Sequence, residues 1–277
     1  MDYLKQEDYE EPRCLLCETD PQSKEAHIIR IPVGRVIEKL DAYFAKNDVD
    51  GAKRHLLHWK KEAEEGGDDR GLFTVLNELV GLFRKAGDEA HALQTTDALL
   101  ALSAKLGMET GISGATVFLN AGTVYKAFGQ PEKALTFFEK AKALYESLLP
   151  PTDARLAGLY NNMALALVDL GRYDEAESLY ETALDILKGQ SEPSPDVAVS
   201  HLNLANLIEA RDGLLDGNAA IMEQLDKAEA ALNDPALPQD GYYAFVCEKC
   251  APTFGYYGYF AAKADFAERA RRIYAGT

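Results

Sequence analysis

A glycine returns every 42 residues along the middle of this chain, at Gly87, Gly129, Gly171 and Gly213. Each one closes an apolar segment with helical periodicity, and the stretches around the glycines resemble one another. Leu119-Asn120-Ala121-Gly122, Asn162-Met163-Ala164-Leu165 and Asn203-Leu204-Ala205-Asn206 precede successive glycines. Glu132-Lys133-Ala134-Leu135 and Asp174-Glu175-Ala176-Glu177 follow two of them. A fixed period of this length means stacked supersecondary units, each burying its apolar face against its neighbours. It excludes a single core wrapped by one long, non-repeating topology.

Helical patterning begins at Val33, with Val36, Ile37, Leu40 and Phe44 on one face. Asn47-Asp48 breaks it, and Ala52, Leu56, Leu57 and Trp59 carry a second helix to about residue 65. A second pair is predicted over about 72–106, turning at Gly87-Asp88. A third starts near Ala115, turns at Gly129 and stops before Pro150-Pro151. A fourth follows Thr152-Asp153 and turns at Gly171. Ser194-Pro195-Asp196 opens a fifth, as Ser, Asp and early Pro do at helix starts. No strand-type alternation of comparable strength competes. The expected fold is all-α, a right-handed α-α superhelix or solenoid of about five helix pairs with a C-terminal capping helix. Its divisions are an irregular acidic arm over 1–32, the array over 33–234, and an aromatic-rich loop with a final helix over 235–277.

Two segments now carry one pattern. Phe118, Gly122, Tyr125, Gly129, Ala134, Phe138 and Ala141 stand in order, and Tyr160, Ala164, Leu167, Gly171, Ala176, Tyr180 and Ala183 repeat them. Small residues let the two helices of a pair approach closely, and aromatics fill the gap to the next pair. This pattern resembles the tetratricopeptide repeat, and the 42-residue period is similar to the longer variant of kinesin light chains. The resemblance implies a concave groove lined by the first helix of each pair, and a non-catalytic scaffold that holds a peptide or protein segment there.

In that frame Asn120, Asn162 and Asn203 fall at equivalent groove-facing positions, with Asn161, Asn206, Asn77, Thr123 and Lys126 nearby. A carboxamide both donates and accepts, so it can pair with a peptide backbone without reading side chains. The same residues could equally bond neighbouring helices and hold the stack together. A clamp for a terminal carboxylate needs several groove cations. Only Lys126 and Arg84 are well placed, and Glu78, Asp169 and Glu209 oppose them.

The formal charge of −16 argues against nucleic acid and anionic membranes, since phosphate neutralisation requires clustered Lys and Arg. A neutral or basic protein partner is expected. Without an apolar leader or a run of about 18 apolar residues, a cytoplasmic location is expected. Capped arrays of this kind are expected to be monomers.

All four cysteines lie in two Cys-x-x-Cys motifs, Cys14/Cys17 and Cys247/Cys250. Four thiolates are the ingredients of a structural zinc site, although the two motifs are far apart in the chain. A metal- or redox-sensing regulator, with the arm pinned over the groove, is the alternative this allows. His55, His58 and Glu62 share a helical face, for which a solvated surface is the simpler reading. The aromatics between Tyr242 and Phe260 suit a cap over the last pair; a tyrosine-lined enzyme pocket is the remaining option. No phosphate-cradling glycine motif, His-Glu-x-x-His or Gly-x-Ser-x-Gly elbow supports catalysis.

Overall fold

A computed structural model describes residues 28–276, Asn47 excepted. Twelve helices follow one another among the described residues, and none of these residues is in a strand. They are α1 (Val33–Phe44), α2 (Val49–Gly66), α3 (Asp69–Lys85), α4 (Glu89–Lys105), α5 (Ile112–Ala127), α6 (Pro131–Leu148), α7 (Ala154–Asp169), α8 (Tyr173–Lys188), α9 (Asp196–Asp216), α10 (Asn218–Leu232), α11 (Gly241–Tyr256) and α12 (Phe260–Ala275). Each odd-numbered helix packs on the even-numbered helix that follows it. The helices fall into two compact units that divide between Glu109 and Thr110, α1–α4 in one and α5–α12 in the other.

Local chemistry sets the helix ends. Asp48, Asp68 and Asp88 each accept a hydrogen bond from the amide three residues on, which caps α2, α3 and α4. Such a cap contributes about 1 kcal/mol. Asp68 is buried and serves twice, since the Ile31 amide also donates to its Oδ2 at 3.0 Å. At the other helix ends, Gly87, Gly129 and Gly171 take φ near +70°. The Gly129 amide then donates to the Lys126 carbonyl and the Gln130 amide to that of Tyr125. This closes the helix in the left-handed conformation that glycine adopts most cheaply. Gly213 departs from the series. Its φ of 81° and ψ of 165° break α9 internally, and α10 begins only at Asn218.

Packing within each pair follows the small-and-aromatic pattern. Gly122 lies so close to the buried Phe138 ring that a β-carbon there would collide with it. Ala134, Ala141, Ala164, Ala176, Ala183 and Ala205 are fully buried along the helix seams. The core of the second unit runs without interruption from α7 through α12.

The C-terminal region differs from the expectation of an aromatic loop and one capping helix. Residues 241–256 form a regular helix, α11, capped by Asp240, which accepts from the Tyr242 and Tyr243 amides at 2.9 Å each. With α12 it makes the fourth pair of the second unit, so α12 belongs to a pair and does not cap the array alone. The physical reason lies in the buried face of α11: Tyr243, Cys247, Cys250, Ala251 and Phe254 recur at helical spacing. The aromatic and cysteine content hid an ordinary amphipathic period.

Candidate functional site

Within the second unit, α5 touches α7, α7 touches α9 and α9 touches α11, whereas the even-numbered helices do not approach one another to the same extent. The odd-numbered helices therefore form the inner, more closely spaced wall of the stack. Asn120 on α5 and Asn162 on α7 stand equally far before their turn glycines; Asn203 on α9 stands one residue further from Gly213. All three are half-buried. Asn162 donates through Nδ2 to the Gly158 carbonyl at 2.7 Å, one turn back on its own helix. That bond fixes the carboxamide and leaves its oxygen and second N–H for other partners.

The neighbouring polar positions divide among different tasks. Asn161 is buried and donates to Ser200 Oγ at 2.8 Å, so it ties α7 to α9. Its Oδ1 is buried without a partner. Thr123 Oγ1 donates to the Asn120 carbonyl at 2.8 Å. Lys126 reaches Asp169 on α7 at 3.4 Å, an ion pair that joins α5 to α7. The Asn206 carboxamide lies 2.9 Å from the Tyr257 hydroxyl. Asn77, Glu78 and Arg84 lie on α3 in the first unit. Burial raises the Glu78 pKa and lowers that of Arg84, with Asp41 adding to the rise at Glu78.

Leu165, Val168 and Val199 are half-buried against the core, and a β-carbon at Gly158 would meet open space.

The far end of the wall is closed by tyrosines of the last pair. Glu209 on α9 accepts from both the Tyr256 and Tyr257 hydroxyls at 2.6 Å. Tyr242 donates to Asp196 at 2.6 Å, and Tyr259 to Asp226 at 2.6 Å. Burial, then the Glu209 carboxylate, push the Tyr257 hydroxyl strongly upward. Burial and Asp226 take that of Tyr259 up to about 12. These phenols stay protonated and donate to the carboxylates. Sequence reading placed the aromatics but missed Asp196, Asp226 and Glu209 as their acceptors. The partners are tens of residues apart, and no local spacing announces them.

A family model described as Tetratricopeptide repeat matches residues 71–147 and 155–214. The chain is a tetratricopeptide repeat protein. Its fold is shared with BtubC (BKLC) from P. vanneervenii, at 23% identity and a TM-score of 0.60 over 74% of this chain and 83% of that one. It is also similar to Rap protein complexed with Competence and Sporulation Factor, at 16% identity and a TM-score of 0.55 over 88% of this chain and 75% of that one. At these identities the likeness concerns the fold. No curated protein matches the sequence. Tetratricopeptide repeats in general are protein–protein interaction scaffolds, not catalysts. No described helix is long and apolar enough to cross a membrane.

The repeat frame also explains the second Cys-x-x-Cys motif. Cys247 and Cys250 stand as far before Gly258 as Tyr160 and Met163 stand before Gly171. They occupy two core positions of the first helix of a repeat, and both are buried between α9, α11 and α12. Burial raises the Cys247 thiol and pushes that of Cys250 up to about 12. A zinc site using these sulfurs would require them to leave that interior. Cys14 and Cys17 lie outside the described residues. Among the described residues no three His, Cys, Asp or Glu side chains group as metal ligands. His55 is buried and its Nε2 lies 2.9 Å from the Val36 carbonyl, so its ring ties α2 to α1. His58 lies 4.0 Å from Glu62 at the surface.

Proposed function

We propose that this tetratricopeptide repeat protein is a non-catalytic scaffold that holds an extended peptide or protein segment along the wall formed by α5, α7 and α9. The reading rests on Asn120, Asn162 and Asn203, one half-buried carboxamide on each of α5, α7 and α9, together with the half-buried Leu165 and Val168 of α7 and Val199 of α9. One carboxamide per repeat supplies a donor and an acceptor to a backbone running across the helices. The apolar residues favour a segment that brings one or two aliphatic or aromatic side chains.

The electrostatics favour a neutral or basic segment. Lys126 is balanced by Asp169, and the carboxylate of Glu209 faces the same helices, which disfavours a terminal carboxylate. The net charge of −16 works in the same direction. That Rap protein is complexed with Competence and Sporulation Factor on a similar fold is compatible with this use.

The test compares wild type with the combined Asn120→Ala, Asn162→Ala and Asn203→Ala variant in affinity capture from a native lysate, with bound proteins identified by mass. Circular dichroism checks that helicity is unchanged. A partner held by wild type and lost by the variant supports the groove. Equal capture by both refutes it.

A further inference from the structure

We propose that two copies of this chain associate, a leucine knob of each entering the end hollow of the other. The knob comes from an insertion. After Gly129, Gly171 and Gly258 the next helix starts two residues on, at Pro131, Tyr173 and Phe260. After Gly213 it starts at Asn218, and Leu214-Leu215-Asp216 make up the extra length. The break at Gly213 turns these residues outward: Leu215 is 93% exposed and Leu214 48% exposed. Met222, on the first turns of α10, is 46% exposed, its sulfur 3.7 Å from Asn218 Nδ2. A lone exposed leucine is unremarked in any protein, but a projecting insertion that adds adjacent apolar side chains and nothing to the core marks a contact site.

The complementary surface lies on the last pair. In earlier pairs of this unit, the slot between the two helices receives the helix that follows, α7 over α5 and α6, and α9 over α7 and α8. Over α11 and α12 that slot is an open hollow of about 340 Å³. Ala251, Pro252, Ala267 and Ala270 give it small apolar walls, and Lys263, Arg271, Glu248 and Tyr274 complete the lining, Tyr274 donating to Glu248 at 3.4 Å. Small side chains leave the room that a branched aliphatic knob fills.

Charge fits the same pairing. Asp216 follows Leu215 directly, whereas Asp212 is already held by Arg211 at 2.9 Å. At the hollow, Arg271 is bonded to Glu268 at 2.7 Å, which leaves Lys263 as the cation to meet Asp216. Because knob and hollow lie on one chain, two reciprocal insertions about a two-fold axis close the pair and use both surfaces. The mutual repulsion of two chains of charge −16 is screened beyond about 8 Å at physiological salt.

The experiment is sedimentation equilibrium of the full chain at physiological salt, with circular dichroism to check the fold. Wild type is expected to self-associate reversibly. Leu215→Ser removes about tenfold in affinity for each knob, or about a hundredfold for the two in a dimer. Asp216→Lys and Lys263→Asp should each weaken association, and the two together should restore it. A wild type that stays monomeric up to about 1 mM overturns the proposal. So does a dimer indifferent to Leu215→Ser, or a charge swap in which the double variant remains as weak as the single ones.

Discussion

Replacing Tyr180 by Phe should make the protein more stable, although losing a buried hydroxyl usually costs stability. Tyr180 is fully buried on α8, and its hydroxyl has no hydrogen-bond partner. Burial, with a smaller contribution from Asp169, raises its pKa far above the ordinary phenol range. A buried hydroxyl left unsatisfied carries a desolvation cost of about 1–3 kcal/mol. Removing the oxygen forfeits a handful of van der Waals contacts at about 0.1–0.2 kcal/mol each, together well under 1 kcal/mol. The balance is a gain of about 1 kcal/mol, or a midpoint rise of about 2–4 °C for a unit of this size. Phe138, fully buried at the equivalent position of α6, already demonstrates that a phenyl ring fits the seam. Tyr145→Phe is the matched control, because Tyr145 and Thr116 share a hydrogen bond of 2.8 Å. That variant should lose about 0.5–1.5 kcal/mol. Thermal and urea unfolding of the two variants beside wild type read the opposite signs directly. A Tyr180→Phe protein that is destabilised as much as Tyr145→Phe would refute the reasoning.

Two further outcomes are expected. In a Cys14→Ser/Cys17→Ser background, Cys247 and Cys250 should resist a maleimide at pH 8 and react rapidly only in denaturant, because burial raises both thiols; fast native labelling would show that α11 opens. Stability should also fall as pH drops below about 6.5, the unfolded histidine value. His55 and His201 both have pKa values lowered by burial, so the unfolded chain binds more protons there, and stability is fully present above that pH and lost beneath it. Urea unfolding between pH 8 and 5 measures the slope, and His55→Gln should make it shallower; an unchanged slope would remove His55 from the account.

Asn120 and Asn162 could be paired from the sequence because both stand nine residues before their turn glycines, whereas Asn203 stands ten before Gly213. The role of each carboxamide was less legible. Asn161 and Asn162 are adjacent and chemically identical, yet one is buried against Ser200 and the other sits at the surface of the wall. Neighbours on a helix point about 100° apart, and only the rotation fixed by packing says which faces inward. The motif Cys247/Cys250 shows the same dependence on packing. Its spacing suits a metal, but the same spacing puts two residues on one face of a helix, and there they fill the core.

Repeat length, helix order, the turn glycines and the small residues at the seams follow from the amino-acid sequence by itself, because they rest on interactions between residues close in the chain. The tyrosine–carboxylate contacts of α9 with α11, the balance of Lys126 by Asp169, and the outward turn of Leu214-Leu215 were decided by the tertiary structure. Each joins or exposes side chains according to how whole helices rotate and stack. That choice is made by the summed burial of many residues, and no local pattern records it.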